Sequence, residues 1–209
     1  LPLLGMGACH EGRLGLYEAE PQLSQPYALD AILYYLDRGR GQLLAVDPAG
    51  EGDLYRAVVP VESAALPPLI LPRRGDAQEP GLALLEPNAH QLVLVTERWQ
   101  EARPLPRVEV LRVPLSQLYD ALVASPDGRY LLAYYSGEVR TRDFVTVAGK
   151  VAVIDLERAL AGDGAEAVVE QALDLEQSPR RVLLSGPLTL SDPEMPLPAA
   201  SCLTAPEET

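Results

Sequence analysis

Few apolar stretches in this chain reach the roughly 10–12 residues a helix needs before a proline or glycine cuts in. Twenty prolines and sixteen glycines lie scattered between short apolar runs along 209 residues, so frequent turns between short strands are predicted. Hydrophobic residues at 47% and charged residues at 22% supply an ordinary buried core and disfavour disorder.

A turn followed by a β-prone run recurs. Ser125-Pro126-Asp127-Gly128 stands directly before Arg129-Tyr130-Leu131-Leu132-Ala133-Tyr134-Tyr135. Proline presets φ at the turn's second position, aspartate bonds its own backbone, and glycine accepts the left-handed conformation. Glu86-Pro87-Asn88-Ala89-His90 precedes Gln91-Leu92-Val93-Leu94-Val95-Thr96 in the same layout, 39 residues earlier (125 minus 86). A strand-only copy is Ala31-Ile32-Leu33-Tyr34-Tyr35-Leu36, whose tyrosine pair matches Tyr134-Tyr135. It lies 61 residues before the middle unit's run (92 minus 31), which predicts an insertion of about 20 residues in the Pro-rich 60–80 stretch. Second runs follow at 43–47, 108–113 and 151–155, third runs at 54–59 and 167–173, and a fourth unit is expected to open at 181–185. A period near 40 with three or four strands per unit predicts propeller blades.

The Ser125–Ser136 and Val151–Glu157 segments resemble the repeats of YVTN-type and related WD-like β-propeller proteins. In that family a similar turn precedes one blade strand and the next strand often ends in Val-Asp. The resemblance implies an all-β fold of about three β-propeller blades and part of a fourth; a β-sandwich is the rival, since its strands also come at close intervals. Propellers need about 4–8 blades to close, so the gene product is expected to be about twice this length. The resemblance says almost nothing about function, because this architecture hosts scaffolds, sensors and enzymes alike.

Met6-Gly7-Ala8-Cys9 closes a short apolar run and resembles a bacterial lipobox. It implies that residues 1–8 end a signal peptide, that Cys9 receives the lipid, and that the protein is anchored in the periplasm or at the cell surface. His10, rather than Asp, then leans toward the outer membrane. Residues 9–30 read as tether and entry, and 31–209 as the partial propeller. Cys202 is left unpaired on this reading; without the lipobox, a Cys9–Cys202 disulfide is open.

Chemistry-bearing patterns are sparse. A net charge of −13 disfavours nucleic-acid partners, which need a cationic surface. With two histidines and no His-x-x-His or Cys-x-x-Cys spacing, no metal site, cofactor or catalytic residue is assigned. His90 reads as a solvent-exposed turn residue, Arg38–Gln42 as a hairpin turn, and the acidic loops 47–53 and 162–166 as solvated turns. Residues 137–150 form a longer connection than a hairpin requires and hold the only Phe, so Arg140, Arg142 and Phe144 are candidate contact residues. Trp99 is placed in the equivalent loop of the middle unit, on the same rim. The function expected is a lipid-anchored module binding a protein or an envelope polymer. The alternative is an exported propeller enzyme, either a lactonase-like hydrolase or a quinone-dependent dehydrogenase.

Overall fold

The structure is a computed structural model that describes residues 20–30, 32–50, 55–72, 81–98, 106–138, 149–173, 179–184 and 201–202. The fold is all-β. Three antiparallel four-stranded sheets are each built from consecutive strands in simple up-and-down order. Sheet A contains β1 (Tyr27–Ala28), β2 (Leu33–Asp37), β3 (Gln42–Val46) and β4 (Tyr55–Pro60). Sheet B contains β5 (Leu69–Ile70), β6 (Gly81–Glu86), β7 (Gln91–Arg98) and β8 (Arg107–Pro114). Sheet C contains β9 (Ala121–Ala124), β10 (Tyr130–Tyr134), β11 (Lys150–Asp155) and β12 (Val168–Ala172). A two-stranded sheet of β13 (Val182–Leu183) and β14 (Ser201–Cys202) follows, so the apolar run at 182–183 does begin a further sheet. β1 belongs to sheet A although it lies within the segment read from sequence as a tether.

The sheets stack face to face, and sheet B shows why. Leu82, Leu84, Val93 and Val95 are fully buried against sheet A, with Tyr34, Leu36, Leu43 and Ala45 opposite. Their alternates, Ala83, Leu85, Leu92 and Leu94, are buried against Leu131, Ala133, Ala152 and Ile154 of sheet C. Successive strand residues point to opposite faces, so a run apolar at every position fits only a sheet covered on both sides. The other face of sheet C, carrying Tyr130, Leu132, Tyr134, Val151 and Val153, packs on Val182 of β13.

A short helix, α1 (Leu156–Leu160), explains why β11 ends in Asp155. The Asp155 carboxylate accepts hydrogen bonds from the backbone N–H groups of Glu157 and Arg158, capping the helix, while Leu156 and Ala159 turn into the B–C core.

The three sheets share features of register, and these fall at other residues than the markers read in the sequence. Ser125–Gly128 joins the first and second strands of sheet C, whereas Pro87–His90 joins the second and third strands of sheet B. The 39-residue interval therefore compares non-equivalent turns. Residues 92–96 belong to a third strand and 108–113 to a fourth, and the second strand of sheet B is Gly81–Glu86, which the sequence reading passed over. The equivalent residues are Gly41, His90 and Gly149, each with positive φ (61°, 50° and 78°) and each just ahead of a third strand. Their carbonyls accept from the N–H groups of Val61, Leu115 and Leu173, just past the fourth strands, at 2.9, 2.8 and 2.6 Å. The next residues, Gln42, Gln91 and Lys150, face Pro60, Pro114 and Ala172. The intervals are 49 and 59 residues (90 minus 41, 149 minus 90), so no 20-residue insertion separates the first two units.

Gly41 has no substitute at its place, because a Cβ there would stand 2.8 Å from the Val61 carbonyl oxygen. His90 fills the same left-handed position in sheet B and is half-buried, not the exposed turn residue expected.

Candidate functional site

The rim where the third strands begin concentrates the polar chemistry of the described residues. Each chain segment entering a sheet donates a backbone N–H to a carboxylate of that sheet. Gln22 N–H donates to Asp37 Oδ1 at 2.9 Å, Glu62 N–H to Glu86 Oε1 at 2.9 Å, and Ser116 N–H to Glu170 Oε1 at 3.2 Å. Asp37 and Glu86 close the second strands of their sheets and are buried. Sheet C has Tyr135 after its second strand, and the carboxylate comes instead from β12. Asp37 also accepts from Arg40 N–H at 3.2 Å, and Glu86 accepts from the Gln91 side-chain amide.

At sheet C this rim becomes a cluster. Lys150, the only lysine of the chain, forms an ion pair with Glu170 at 2.5 Å and donates to Ser116 Oγ at 2.9 Å. The Tyr119 hydroxyl donates to Glu170 Oε1 at 3.3 Å. Burial alone would raise the Glu170 carboxyl, but hydrogen bonds from Lys150 and Ser116 outweigh it and hold the group below its ordinary range. Burial and the adjacent Glu170 charge push the Tyr119 hydroxyl up. At the sheet A–B junction the sign reverses. Burial raises the Glu62 carboxyl, with Glu86 adding repulsion and the Asn88 N–H opposing both.

A serine beside a lysine suggests nucleophile activation, which requires an amine able to accept the serine proton. Here Lys150 donates to both Ser116 and Glu170, so its amine is engaged as a donor, and the Ser116 hydroxyl itself hydrogen-bonds the Glu170 carboxylate. The cluster ties the B-to-C linker to β11 and β12. Because the folded-state pKa of Glu170 is depressed, its contribution to stability is present above its unfolded value near 4.5 and is lost as pH falls through the folded value. Glu170→Gln should lower Tm by about 2–4 °C at pH 7, corresponding to about 1 kcal/mol. Melts from pH 7 to 3 should show the gap to wild type closing in acid; a constant gap would mean that the charge of Glu170 contributes nothing.

A second polar contact spans sheets A and B. The fully buried Tyr34 hydroxyl faces the equally buried Glu97, and burial together with that carboxylate raises the phenol well above its ordinary value. Tyr34 and Tyr134 are buried core residues and Tyr35 is half-buried, in keeping with packing roles.

Cys9, Trp99, Arg140, Arg142 and Phe144 lie outside the described residues. The flanks of the two expected contact loops are described, and they separate. Arg98 ends β7, whereas Glu138 and Gly149 border the second connection at the rim where β7 begins, because Lys150 meets Ser116 just past the end of β8. An eight-residue strand at about 3.3 Å per residue puts those rims about 25 Å apart. The two loops therefore leave from opposite rims, not the same one. Ser116, Tyr119, Lys150 and Glu170 escaped the sequence reading, although Val113-Pro114-Leu115-Ser116 echoes Val59-Pro60-Val61-Glu62 at the same place after the fourth strand.

Among the described residues, no three His, Cys, Asp or Glu side chains gather to hold a metal, and no helix is long and apolar enough to cross a membrane. No protein-family model matches the chain, and no curated protein matches it.

Proposed function

We propose that the three sheets are blades of a β-propeller and that the protein is an exported, lipid-anchored module binding another protein or an envelope polymer through a rim loop. The observation that carries this reading is the register repeat. Three four-stranded meanders stack in sequence order, each with a left-handed residue before its third strand and a carboxylate latch on the same rim. A sandwich of two sheets has no reason to repeat that geometry three times. Rigid strands anchor the connection between Glu138 and Gly149, and a long loop on a rigid frame is where recognition is commonly placed. The Cys9 thiol would carry the lipid.

A photo-crosslinking residue at position 144, introduced in cells expressing the protein from its native reading frame, should give one discrete adduct that Arg140→Ala with Arg142→Ala removes. The same residue at the exposed outer-strand position 110 should give none. Equal, diffuse labelling from both positions would sink the rim-loop assignment. Lactone or aryl-ester hydrolysis dependent on an added divalent metal would move the assignment to the enzyme alternative.

A further inference from the structure

The outer edges of the three sheets are not alike. In each sheet the fourth strand bonds the third strand on one edge and turns its other edge outward. Val61, Leu115 and Leu173 point their N–H groups inward, to the carbonyls of Gly41, His90 and Gly149. Backbone groups alternate in direction along a strand, so the residues just before them, Pro60, Pro114 and Ala172, point outward. In sheets A and B a proline removes the outward donor at this register position, which blunts the edge against a further strand. Both edges also meet a piece of the next sheet. Arg112 Nη2 donates to the outward Pro60 carbonyl at 2.6 Å, and Gly164 of the connection before β12 approaches the outward Arg112 carbonyl, to which an added Cβ would stand 3.7 Å away. β8 further carries Arg107, Glu109 and Arg112, charges that discourage pairing. The β12 edge has none of these devices among the described residues. Ala172 keeps its N–H and is exposed, Val169 is 51% exposed, and the outward backbone groups of Val168, Glu170 and Ala172 bond no described residue. Glu170, the only charge in the strand, is engaged by Lys150 and Ser116.

We propose that the β12 edge receives an extended segment of a partner protein as a fifth strand of sheet C, and that this segment alternates basic and apolar residues. Main-chain hydrogen bonds to an exposed edge supply affinity in such pairing, and alternate side chains supply specificity. The two sides of β12 set the alternation. Glu170 lies on the side of sheet B, as does the connection through α1, whose Leu156, Ala159 and Ala167 pack between sheets B and C and whose Asp163 and Glu166 are exposed. Val169, the strand partner of Val153, lies on the other side. Side chains of an added strand point to these same two sides in turn, so basic residues meet Asp163 and Glu166 while apolar residues extend the Val153–Val169 row. The net charge of −13 attracts a cationic segment and opposes the pairing of β12 edges from two copies of this chain. The inference needs neither the propeller reading nor the lipid anchor.

The probe is a short fluorescein-labelled peptide of alternating valine and lysine with both ends blocked, titrated into the whole chain by anisotropy. It should bind saturably and slow amide exchange at Val168, Glu170 and Ala172, whose N–H groups point outward. N-methylation of one alternate set of peptide residues, the set whose N–H groups enter the ladder, should abolish binding, and N-methylation of the other set should spare it. Ala172→Pro gives sheet C the residue that sheets A and B carry at this position and should weaken binding by about tenfold. Val169→Lys, at an exposed position beside the added strand, should weaken it as well and keeps the test decisive if Ala172→Pro fails to fold. No saturable binding overturns the proposal. So does binding that both N-methylated peptides retain, which would mean attraction by charge alone, and so does equal binding of the peptide with glutamate in place of lysine. Protection of the same three amides that rises with protein concentration, with no peptide present, would put a second copy on the edge and overturns it too.

Discussion

Leu84→Ala and Leu94→Ala should each destabilise the protein by about 2–5 kcal/mol, and their effects should add within about 0.5 kcal/mol. Both side chains are fully buried in sheet B, but on opposite faces: Leu84 against sheet A and Leu94 against sheet C. Truncating a buried leucine removes its transfer free energy and leaves a cavity that neighbouring strands, held by ladder hydrogen bonds, cannot collapse around. Additivity is expected because the two residues belong to separate clusters with no shared side-chain partners. Urea unfolding of the two single variants and the double variant checks this. In an antiparallel sheet with one solvated face, one of the two substitutions would cost well under 1 kcal/mol. Two large costs are the thermodynamic mark of a sheet buried between two others, on which the stacked architecture depends.

What the sequence revealed of this fold follows from how its side chains are presented. β2, β3, β10 and β11 were legible because β-branched and tyrosine-rich runs sit between strong turn residues. β6 was not. Gly81-Leu82-Ala83-Leu84-Leu85-Glu86 has weak strand propensity, and burial on both faces erases the alternation that would mark it. Missing it shifted every assignment in sheet B by one strand and made two unrelated turns look like a repeat. The turn feature that the three sheets share was hidden at His90, which holds the left-handed position that glycine holds in sheets A and C. The carboxylate latches were hidden for another reason. Their donors are backbone N–H groups, which every non-proline residue carries, so no residue type announces them. The third latch also changes strand, from the end of the second strand to β12, and no fixed spacing could have connected the three.

Those latches should carry more stability than their positions at a rim suggest. Asp37→Ala leaves the Gln22 and Arg40 N–H groups without their acceptor, and Glu86→Ala does the same to the Glu62 N–H and the Gln91 amide. A fully buried unsatisfied donor costs roughly 1–3 kcal/mol, and these donors are only part-buried, so each substitution should cost about 1–3 kcal/mol. The amide variants Asp37→Asn and Glu86→Gln keep a carbonyl acceptor and should lose less than half as much. Amide exchange supplies the local readout. Glu62 N–H should exchange faster in Glu86→Ala and remain unchanged in Asp37→Ala, with Gln22 N–H behaving in the opposite manner. A global loss without that local pattern would mean that the carboxylates act through general packing. A loss below about 0.5 kcal/mol in both would mean that buried linker residues such as Ala65 hold the sheets in sequence without the latches. With the pattern present, the rim that holds the sheets in register is also the rim from which the 139–148 connection departs, so any ligand gripped there would act on the same hydrogen bonds that order the stack.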